Sequence, residues 1–222
     1  MLKLKRWNVL LTQFTNYIQT STKNILLVIF CGVLLSGCFA TSPTKKDYGP
    51  VAPKAKAAYQ RAVLAMKSGQ TKRALQLFNS ISKKYPGFAG PQINIGLMYL
   101  KKNKLVKAEK AFKLAIKINR DNAVSYNLLG VVYRRAGKFN EAKEAYHQAI
   151  SKDAQYANAH LNLGVLYDIY MDDLKRAVHH YEQYKQFSPS ADKKVDKWII
   201  DLKRRTKTTQ TSTSKTKRGT QG

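Results

Sequence analysis

Apolar residues recur along most of this chain with the three- and four-residue spacing of amphipathic helices. The same arrangement of apolar and polar positions also returns as a longer unit. An alanine recurs at intervals of 34, 34 and 35 residues, at Ala74, Ala108, Ala142 and Ala177. An aromatic residue lies four positions after each alanine, at Phe78, Phe112, Tyr146 and Tyr181. The pattern predicts pairs of short helices, stacked so that each pair buries the apolar face of its neighbour.

Small and aromatic residues occupy fixed places in these units. A glycine precedes three of the alanines, at Gly96, Gly130 and Gly164, and a tyrosine follows each glycine by three positions, at Tyr99, Tyr133 and Tyr167. We expect the small residues to let the helix backbones approach closely and the aromatic rings to fill the space beside them. A turn residue lies five positions before the first three alanines, at Gly69, Asn103 and Gly137. We expect these turn residues to adopt the left-handed conformation that ends a helix. The whole pattern resembles the tetratricopeptide repeat.

The resemblance covers about residues 55–189. It implies an all-α solenoid of about four helix-turn-helix repeats, at 55–88, 89–122, 123–156 and 157–190. Residues 191–205 predict a C-terminal capping helix, because four apolar residues share one face, at Val195, Trp198, Ile199 and Leu202. Residues 206–222 contain no apolar residue and predict a disordered basic tail.

The N-terminus predicts a lipoprotein signal peptide. Residues 1–24 carry basic residues and no acid, and residues 25–35 form an apolar run that is shorter than the roughly 20 residues needed to cross a bilayer. The segment Leu35-Ser36-Gly37-Cys38 resembles the lipobox of bacterial lipoproteins. The resemblance implies a signal peptide at 1–37, acylation of Cys38, for example with palmitate, and a lipidated tether at 38–54. The alternative is an uncleaved membrane helix that starts near Ile18.

The lipobox also implies a location in the bacterial envelope. In bacterial lipoproteins, an aspartate directly after the lipidated cysteine tends to retain the protein in the inner membrane. Here that residue is Phe39. The resemblance therefore favours a lipid anchor in the outer membrane, with the repeats facing the periplasm.

Charge is unevenly distributed along the chain. The net charge is +27, with 40 basic and 13 acidic residues. Residues 55–122 contain 15 Lys or Arg and two acids, whereas residues 123–189 contain eight and seven. This imbalance indicates an anionic partner, such as a glycan or lipid headgroups, although a basic solvated helix face is the simpler alternative. Nucleic acid fits the charge but not an exported chain.

Known catalytic motifs are missing from the sequence, which has no glycine-rich phosphate loop, GxSxG, HExxH or CxxC. We therefore predict no catalytic residues, no cofactor and no metal. His160 falls at a large-apolar position, which favours a packed ring. A metal site that combines His180 with Asp173 or Glu182 has unsuitable spacing. The acids at 168, 172 and 173 are more typical of a solvated turn than of a divalent-cation site.

The family resemblance also implies a binding groove. In tetratricopeptide repeats, fixed positions of the first helix of each repeat line the concave face. In this sequence they are Tyr59, Val63, Met66 and Lys67; Ile93, Leu97, Leu100 and Lys101; Val124, Asn127, Val131, Arg134 and Arg135; and Leu161, Val165, Asp168 and Ile169. This set implies an apolar groove with a basic rim, suited to an amphipathic or acidic peptide segment. The alternative is that the capping helix or the tether covers part of the groove.

Three functions compete at this stage. The first is a non-catalytic scaffold or assembly factor for an envelope complex such as a pilus or secretin, because the architecture resembles pilus-biogenesis pilotins. The second is a basic protein that tethers anionic glycan or lipopolysaccharide. The third is an accessory subunit of a machine that synthesises envelope polysaccharide or cell wall. In each case the partners are an envelope protein, the membrane through the N-terminal lipid, or anionic groups.

Overall fold

The computed structural model describes residues 53–188 and 193–218, with side chains described up to residue 208. These ranges form nine helices: α1 (Pro53–Lys67), α2 (Thr71–Lys84), α3 (Gly90–Lys101), α4 (Leu105–Ile118), α5 (Ala123–Arg135), α6 (Phe139–Lys152), α7 (Ala157–Ile169), α8 (Leu174–Phe187) and α9 (Lys193–Arg218). The described residues all lie in one compact unit within the range 48–222. The signal peptide at 1–37, Cys38 and the tether up to residue 52 lie outside the described residues. Helix α1 begins at Pro53, slightly before the predicted end of the tether.

The first eight helices form four consecutive hairpins, and α9 packs on the last one. Within each hairpin the two helices contact each other, and the second helix also contacts the first helix of the next hairpin. The predicted all-α tetratricopeptide solenoid with a capping helix is confirmed. Because each hairpin contacts its sequence neighbours, the core is a continuous strip along the stack rather than a single cluster.

In three of the four hairpins, a glycine of the first helix packs against an aromatic ring of the second helix. A Cβ atom added at Gly96 would lie 2.5 Å from the Phe112 ring, and one added at Gly130 would lie 2.5 Å from the Tyr146 ring. Gly164 meets Tyr181 in the same way, at 2.7 Å. The first helix of a hairpin thus approaches the ring so closely that only hydrogen fits at the glycine. This is the packing that the spacing of glycine and aromatic residues predicts.

The turns inside the hairpins use residues with positive φ. Gly69 and Gly137 have φ values of +76° and +75°, and Asn103 has a φ of +55°, as predicted for the turn residues. The fourth hairpin contains one extra residue, and its left-handed residue is Asp172, with a φ of +51°. There the N–H of Asp173 bonds to the carbonyl of Tyr167, which spans one residue more than the bond from Lys138 to Tyr133 in the third hairpin.

Helix α9 covers the exposed side of α8 with four buried apolar side chains, at Val195, Trp198, Ile199 and Leu202. The Trp198 ring lies 5.5 Å from the ring of Tyr181. Lys203 pairs with Glu182 across the contact at 2.6 Å, and a second ion pair joins Lys185 to Asp196. These contacts match the predicted cap.

The predicted end of the capping helix at residue 205 is wrong, because α9 continues to Arg218. Residues 206–218 were expected to be disordered for lack of apolar residues. Extending an existing helix needs no new nucleus, so a polar segment joined to an anchored helix continues at low cost. The hydroxyls of Thr206 and Thr208 also donate to the carbonyls of Leu202, at 3.1 Å, and Arg204, at 3.2 Å. The remaining part of the predicted tail, residues 219–222, lies outside the described residues.

Among the residues that the structure describes, no helix combines the length and the apolarity needed to cross a membrane.

Candidate functional site

The predicted groove residues lie on the first helices of the four hairpins, α1, α3, α5 and α7. Helix α5 contacts both α3 and α7. Helix α1 is joined to α3 by a hydrogen bond of 2.6 Å, in which Asn94 Nδ2 donates to the hydroxyl of Tyr59. The four helices therefore lie in sequence along one side of the stack, as the family pattern implies.

Polar side chains tie these four helices together. Asn162 Nδ2 donates to Asn127 Oδ1 at 2.9 Å, two repeats beyond the bond between Asn94 and Tyr59. Sequence reasoning gave Asn94 and Asn162 no particular role. Each of them bridges to the residue 35 positions earlier. A sequence signal for these bridges is the recurrence of a polar residue directly after the groove position in two repeats.

Exposure divides the groove into two halves. In the half formed by α1 and α3, five of the six predicted apolar residues are only partly buried, at Tyr59, Val63, Met66, Ile93 and Leu97, whereas Leu100 is 1% exposed. The two lysines at the ends of these helices, Lys67 and Lys101, are exposed. We call these seven residues the open half. Burial raises the pKa of the Tyr59 hydroxyl, and the hydrogen bond from Asn94 partly offsets this effect.

The second half of the predicted groove is closed. Five predicted residues on α5 and α7 have at most 5% exposure and cannot offer a surface to a partner, at Asn127, Val131, Leu161, Val165 and Asp168. Of the other four positions there, Val124 and Ile169 are partly buried, Arg134 is buried and Arg135 is exposed. The physical reason is position in the stack, because α5 packs against α3, α4, α6 and α7, whereas α1 at the end has fewer neighbours. Asp168 also accepts a hydrogen bond from Tyr181 and lies 4.0 Å from Arg205.

The predicted basic rim at Arg134 and Arg135 is wrong for Arg134. Its side chain is 7% exposed, and its Nε donates to the Tyr146 hydroxyl at 3.3 Å. Burial disfavours its charge, but the hydroxyls of Tyr146 and Tyr170 more than compensate and raise its pKa. Arginine carries an apolar stem, which allows it to pack in the stack while its head finds hydroxyl partners.

Arg135 is exposed, but its guanidinium also forms hydrogen bonds within the protein. Its guanidinium donates to the carbonyl of Leu100 at 3.0 Å and to Asn103 Oδ1 at 2.9 Å. These bonds fasten the end of α5 to the turn after α3. Burial, followed by the charge of Arg134, lowers the pKa of Arg135. The exposed cations of the groove are therefore Lys67, Lys101 and Arg135, of which Arg135 also links two hairpins through its hydrogen bonds.

A group of histidines lies between α7 and α8. His160 and His180 are 5% and 8% exposed, and their Nδ1 atoms lie 3.1 Å apart. His160 Nε2 lies 3.1 Å from the carbonyl of Ala154, which only accepts, so His160 carries its proton on Nε2. His180 Nδ1 must then donate to His160 Nδ1. Tyr167 stacks on the His180 ring at 5.7 Å.

Burial, with the nearby imidazoles as a second cause, lowers the pKa of His180 to about 3. Burial also lowers the pKa of His160. Both rings are therefore neutral at pH 7, in agreement with the hydrogen-bond pattern. His160 packs as a buried ring, as its apolar position indicates.

Asp173, near the turn of the last hairpin, has a structural role. Asp173 Oδ1 accepts from the backbone N–H of Arg176 at 2.9 Å and so caps α8, while Asp173 Oδ2 accepts from Arg176 Nε at 2.6 Å. This bonding lowers the pKa of Asp173 although partial burial opposes it. Within residues 53–188 and 193–208, no group of three or more His, Cys, Asp or Glu side chains is placed to hold a metal ion.

These features define a helical-repeat protein with a short apolar groove and many cations. Three tetratricopeptide-repeat models match the chain, at residues 55–123, 111–144 and 132–168, which together span 55–168. The chain belongs to the tetratricopeptide-repeat family. Repeats of this family are protein-interaction modules that generally lack catalytic activity. A search of curated proteins by sequence found no significant match.

Solved structures share the fold at low sequence identity. The chain is similar to MamA from Desulfovibrio magneticus RS-1, with 23% identity over 62% of this chain and 77% of that one, and a TM-score of 0.53. A second MamA structure has 18% identity over 69% of this chain and 88% of that one, with a TM-score of 0.55. The structure of PilF from Pseudomonas aeruginosa has 17% identity over 69% of both chains, with a TM-score of 0.61. At these identities the similarity shows a common fold.

Proposed function

We propose that this protein is a non-catalytic lipoprotein of the bacterial envelope that holds a segment of another envelope protein in the open half of its groove. In this role it acts as a scaffold or assembly factor for an envelope complex such as a pilus or secretin. The observation that carries the proposal is the apolar floor of the open half, which remains partly exposed and has two exposed lysines at one end.

The size of the open half suits a short peptide segment. Helices α1 and α3 contain 15 and 12 residues. At about 1.5 Å per residue they are roughly 18–22 Å long. Packed helices lie about 8–10 Å apart, so the floor has the width of one extended chain or one helix. A segment with apolar side chains towards Val63 and Leu97 would bury the floor and remove its contact with water.

Charge favours an acidic segment. Lys67 and Lys101 are exposed at one end of the floor, where α1 and α3 end, and residues 55–122 contain only the acids Glu109 and Asp121. Glu109 is already paired with Lys113 at 2.7 Å. An acidic segment therefore meets attractive charge and little repulsion, which speeds its association and discriminates against basic partners.

Two further observations support the envelope role. The segment Leu35-Ser36-Gly37-Cys38 resembles a lipobox, and Phe39 after the cysteine favours the outer membrane. The fold similarity to PilF extends over 69% of both chains, and the name of that protein refers to pili. Fold similarity alone does not carry function. The pilus or secretin is therefore one example of an envelope complex that this protein would serve.

Site-specific photo-cross-linking is expected to trap the partner from the groove. A photoreactive residue at Leu97, in the open half, should cross-link to a protein segment in intact cells. The matched control is Leu114, which is 43% exposed on the outer face of α4. Equal cross-linking from both positions, or none from Leu97, would contradict groove binding.

The cross-linked segment, made as a peptide, then allows a direct binding measurement. Leu97→Asp is expected to weaken its binding to residues 48–222 by about tenfold or more, because a carboxylate would be desolvated against an apolar, acidic partner. Leu114→Asp should leave binding unchanged.

Labelled palmitate is expected to be incorporated into the wild-type protein and to be absent from Cys38→Ser. The reason is that acylation at a lipobox requires the thiol of that cysteine. Cys31→Ser is the matched control, because it removes the other cysteine of the chain, and it should keep the label. Label that persists in Cys38→Ser would contradict lipidation at Cys38. It would not affect the proposal that the groove binds a protein segment.

A further inference from the structure

The outer face of α4 combines lysines with exposed apolar side chains. Six residues of α4 are exposed, at Val106, Lys107, Lys110, Lys113, Leu114 and Lys117. None of them is acidic. Val106 is 68% exposed and Leu114 is 43% exposed. Because exposed apolar residues on this face contribute nothing to the core, the packing of the hairpins does not require them.

Helix α2 presents a similar face. Its outward residues include four cations and no acid, at Lys72, Arg73, Lys83 and Lys84. Both α2 and α4 pack against α3, so they belong to the same part of the stack. We call the outward faces of α2 and α4 the basic outer face. It lies on the second helices of their hairpins, whereas the groove lies on the first helices.

The same positions one repeat later have a different character. On α6, the residues 34 positions after those of α4 are Asn140, Glu141, Glu144, His147, Gln148 and Ser151. The family fold therefore accepts a neutral or acidic outer face. The concentration of lysine, valine and leucine on α4 is a property of this surface and not a requirement of the repeat.

We propose that the basic outer face binds the surface of an anionic lipid bilayer. Its cations would contact the phosphate groups, while Val106 and Leu114 enter the boundary between headgroups and acyl chains. Lysines beside apolar side chains are typical of helices that lie in the plane of a membrane surface. A soluble anionic glycan would use the lysines but would gain nothing from two exposed apolar side chains. The inference does not depend on the groove or on Cys38.

Membrane contact through this face also sets an orientation. The second helices of the first two hairpins would face the bilayer, and the open half on the first helices would remain accessible to a protein segment. Electrostatic attraction to anionic lipids contributes roughly a fivefold gain in binding for each lysine near the surface. Several lysines together are therefore sufficient for measurable binding without any lipid anchor.

Vesicle binding by residues 48–222 tests the proposal, since this compact unit contains neither the leader nor Cys38. Binding is expected to vesicles of phosphatidylcholine with phosphatidylglycerol and not to vesicles of phosphatidylcholine alone. It should weaken as NaCl is raised, because salt screens charge. Equal binding to both kinds of vesicle would overturn the proposal, as would no binding to the anionic ones.

Charge-reversal variants locate the binding face. Lys110→Glu with Lys117→Glu is expected to weaken binding to anionic vesicles by at least about 30-fold. The matched control is Lys67→Glu with Lys101→Glu, which makes the same change in net charge in the same two repeats but on the groove. It should change binding by no more than about threefold, because charges beyond a Debye length are largely screened. Equal losses in the two variants would show that net charge, not this face, drives binding.

The apolar residues distinguish a bilayer from a soluble polyanion. Val106→Ser with Leu114→Ser is expected to weaken vesicle binding by about tenfold, with no loss of helix content, since both side chains are exposed. If this variant binds like the wild type and a soluble anionic polysaccharide competes fully, the face recognises glycan and the membrane assignment is wrong. Circular dichroism of each variant verifies that the fold is retained.

Discussion

Tyr146→Ala is expected to lower the free energy of unfolding by about 3–5 kcal/mol. The Tyr146 ring is fully buried at the centre of the third hairpin and fills the space above Gly130. Its hydroxyl accepts a hydrogen bond from Arg134, which is itself buried. The substitution thus leaves a cavity and removes a partner of a buried cation, and the two losses add. Urea unfolding followed by circular dichroism measures the change.

A double-mutant cycle with Gly130 separates packing from helix propensity. Gly130→Ala alone is expected to destabilise the protein by about 1–2 kcal/mol, because overpacking outweighs the better helix propensity of alanine. In the Tyr146→Ala background the same change should stabilise by about 1 kcal/mol, since the ring that it strikes is gone. Additive effects would contradict the close contact of 2.5 Å between position 130 and the ring.

Lowering the pH from 7 to 5 is expected to reduce the free energy of unfolding by about 2 kcal/mol through His180 alone. Above pH 6.5, its ordinary pKa, the ring is neutral in both the folded and the unfolded chain. Between pH 6.5 and about 3, the unfolded chain binds a proton that the folded chain does not. Stability is therefore full above pH 6.5 and is lost as the pH falls towards 3.

The surroundings of His180 explain why it resists protonation. Besides burial, its ring faces His160, His179 and His147, and the guanidinium of Arg176 is near. A proton on His180 Nε2 would place a cation among these groups without an acidic partner of its own.

Substitutions assign the pH effect to the buried pair. His180→Phe should flatten the dependence of unfolding free energy on pH between 7 and 5. His179→Gln is the matched control, because its side chain is exposed and burial is the largest cause of the low pKa of His180, and it should keep most of the wild-type slope. An unchanged slope in His180→Phe would mean that other groups, such as His160 or His147, carry the effect. Urea unfolding at a series of pH values measures each slope.

The hairpins could be predicted from sequence because their rules are local. The repeat of 34 residues places a glycine and an aromatic residue at the same two positions of successive hairpins. Gly96, Gly130 and Gly164 lie against the rings of Phe112, Tyr146 and Tyr181, as expected. The left-handed conformation of Gly69 and Gly137 followed from the absence of a side chain. Such features depend on a few neighbouring residues of one hairpin.

The state of the groove could not be predicted because it depends on the whole stack. The family pattern places Val165 and Arg134 on the same kind of position as Val63 and Met66, yet the first two are buried and the last two are not. Burial at these positions depends on how many helices pack around each hairpin. The tie from Arg135 to Leu100 likewise joins residues 35 positions apart and has no local signature.

The length of α9 exceeded the prediction for a different reason. Composition alone describes residues 206–218 as unable to form a core, which remains true. Composition does not show that the preceding part of α9 is anchored to the stack by the buried side chains of Trp198 and Leu202. A segment without intrinsic order can thus inherit helical structure from an anchored neighbour.

The two ends of the helical stack differ in how many helices pack on them, and this difference couples binding in the groove to the stability of the fold. Among the described residues, α9 packs on the last hairpin, whereas α1 packs mainly on α2. In a linear array with nearest-neighbour coupling, unravelling starts where the fewest contacts must be broken. That end contains α1, which forms half of the open groove. A bound segment would therefore stabilise the hairpin that is otherwise the first to unfold. A client segment would thereby lengthen the lifetime of the folded scaffold that holds it.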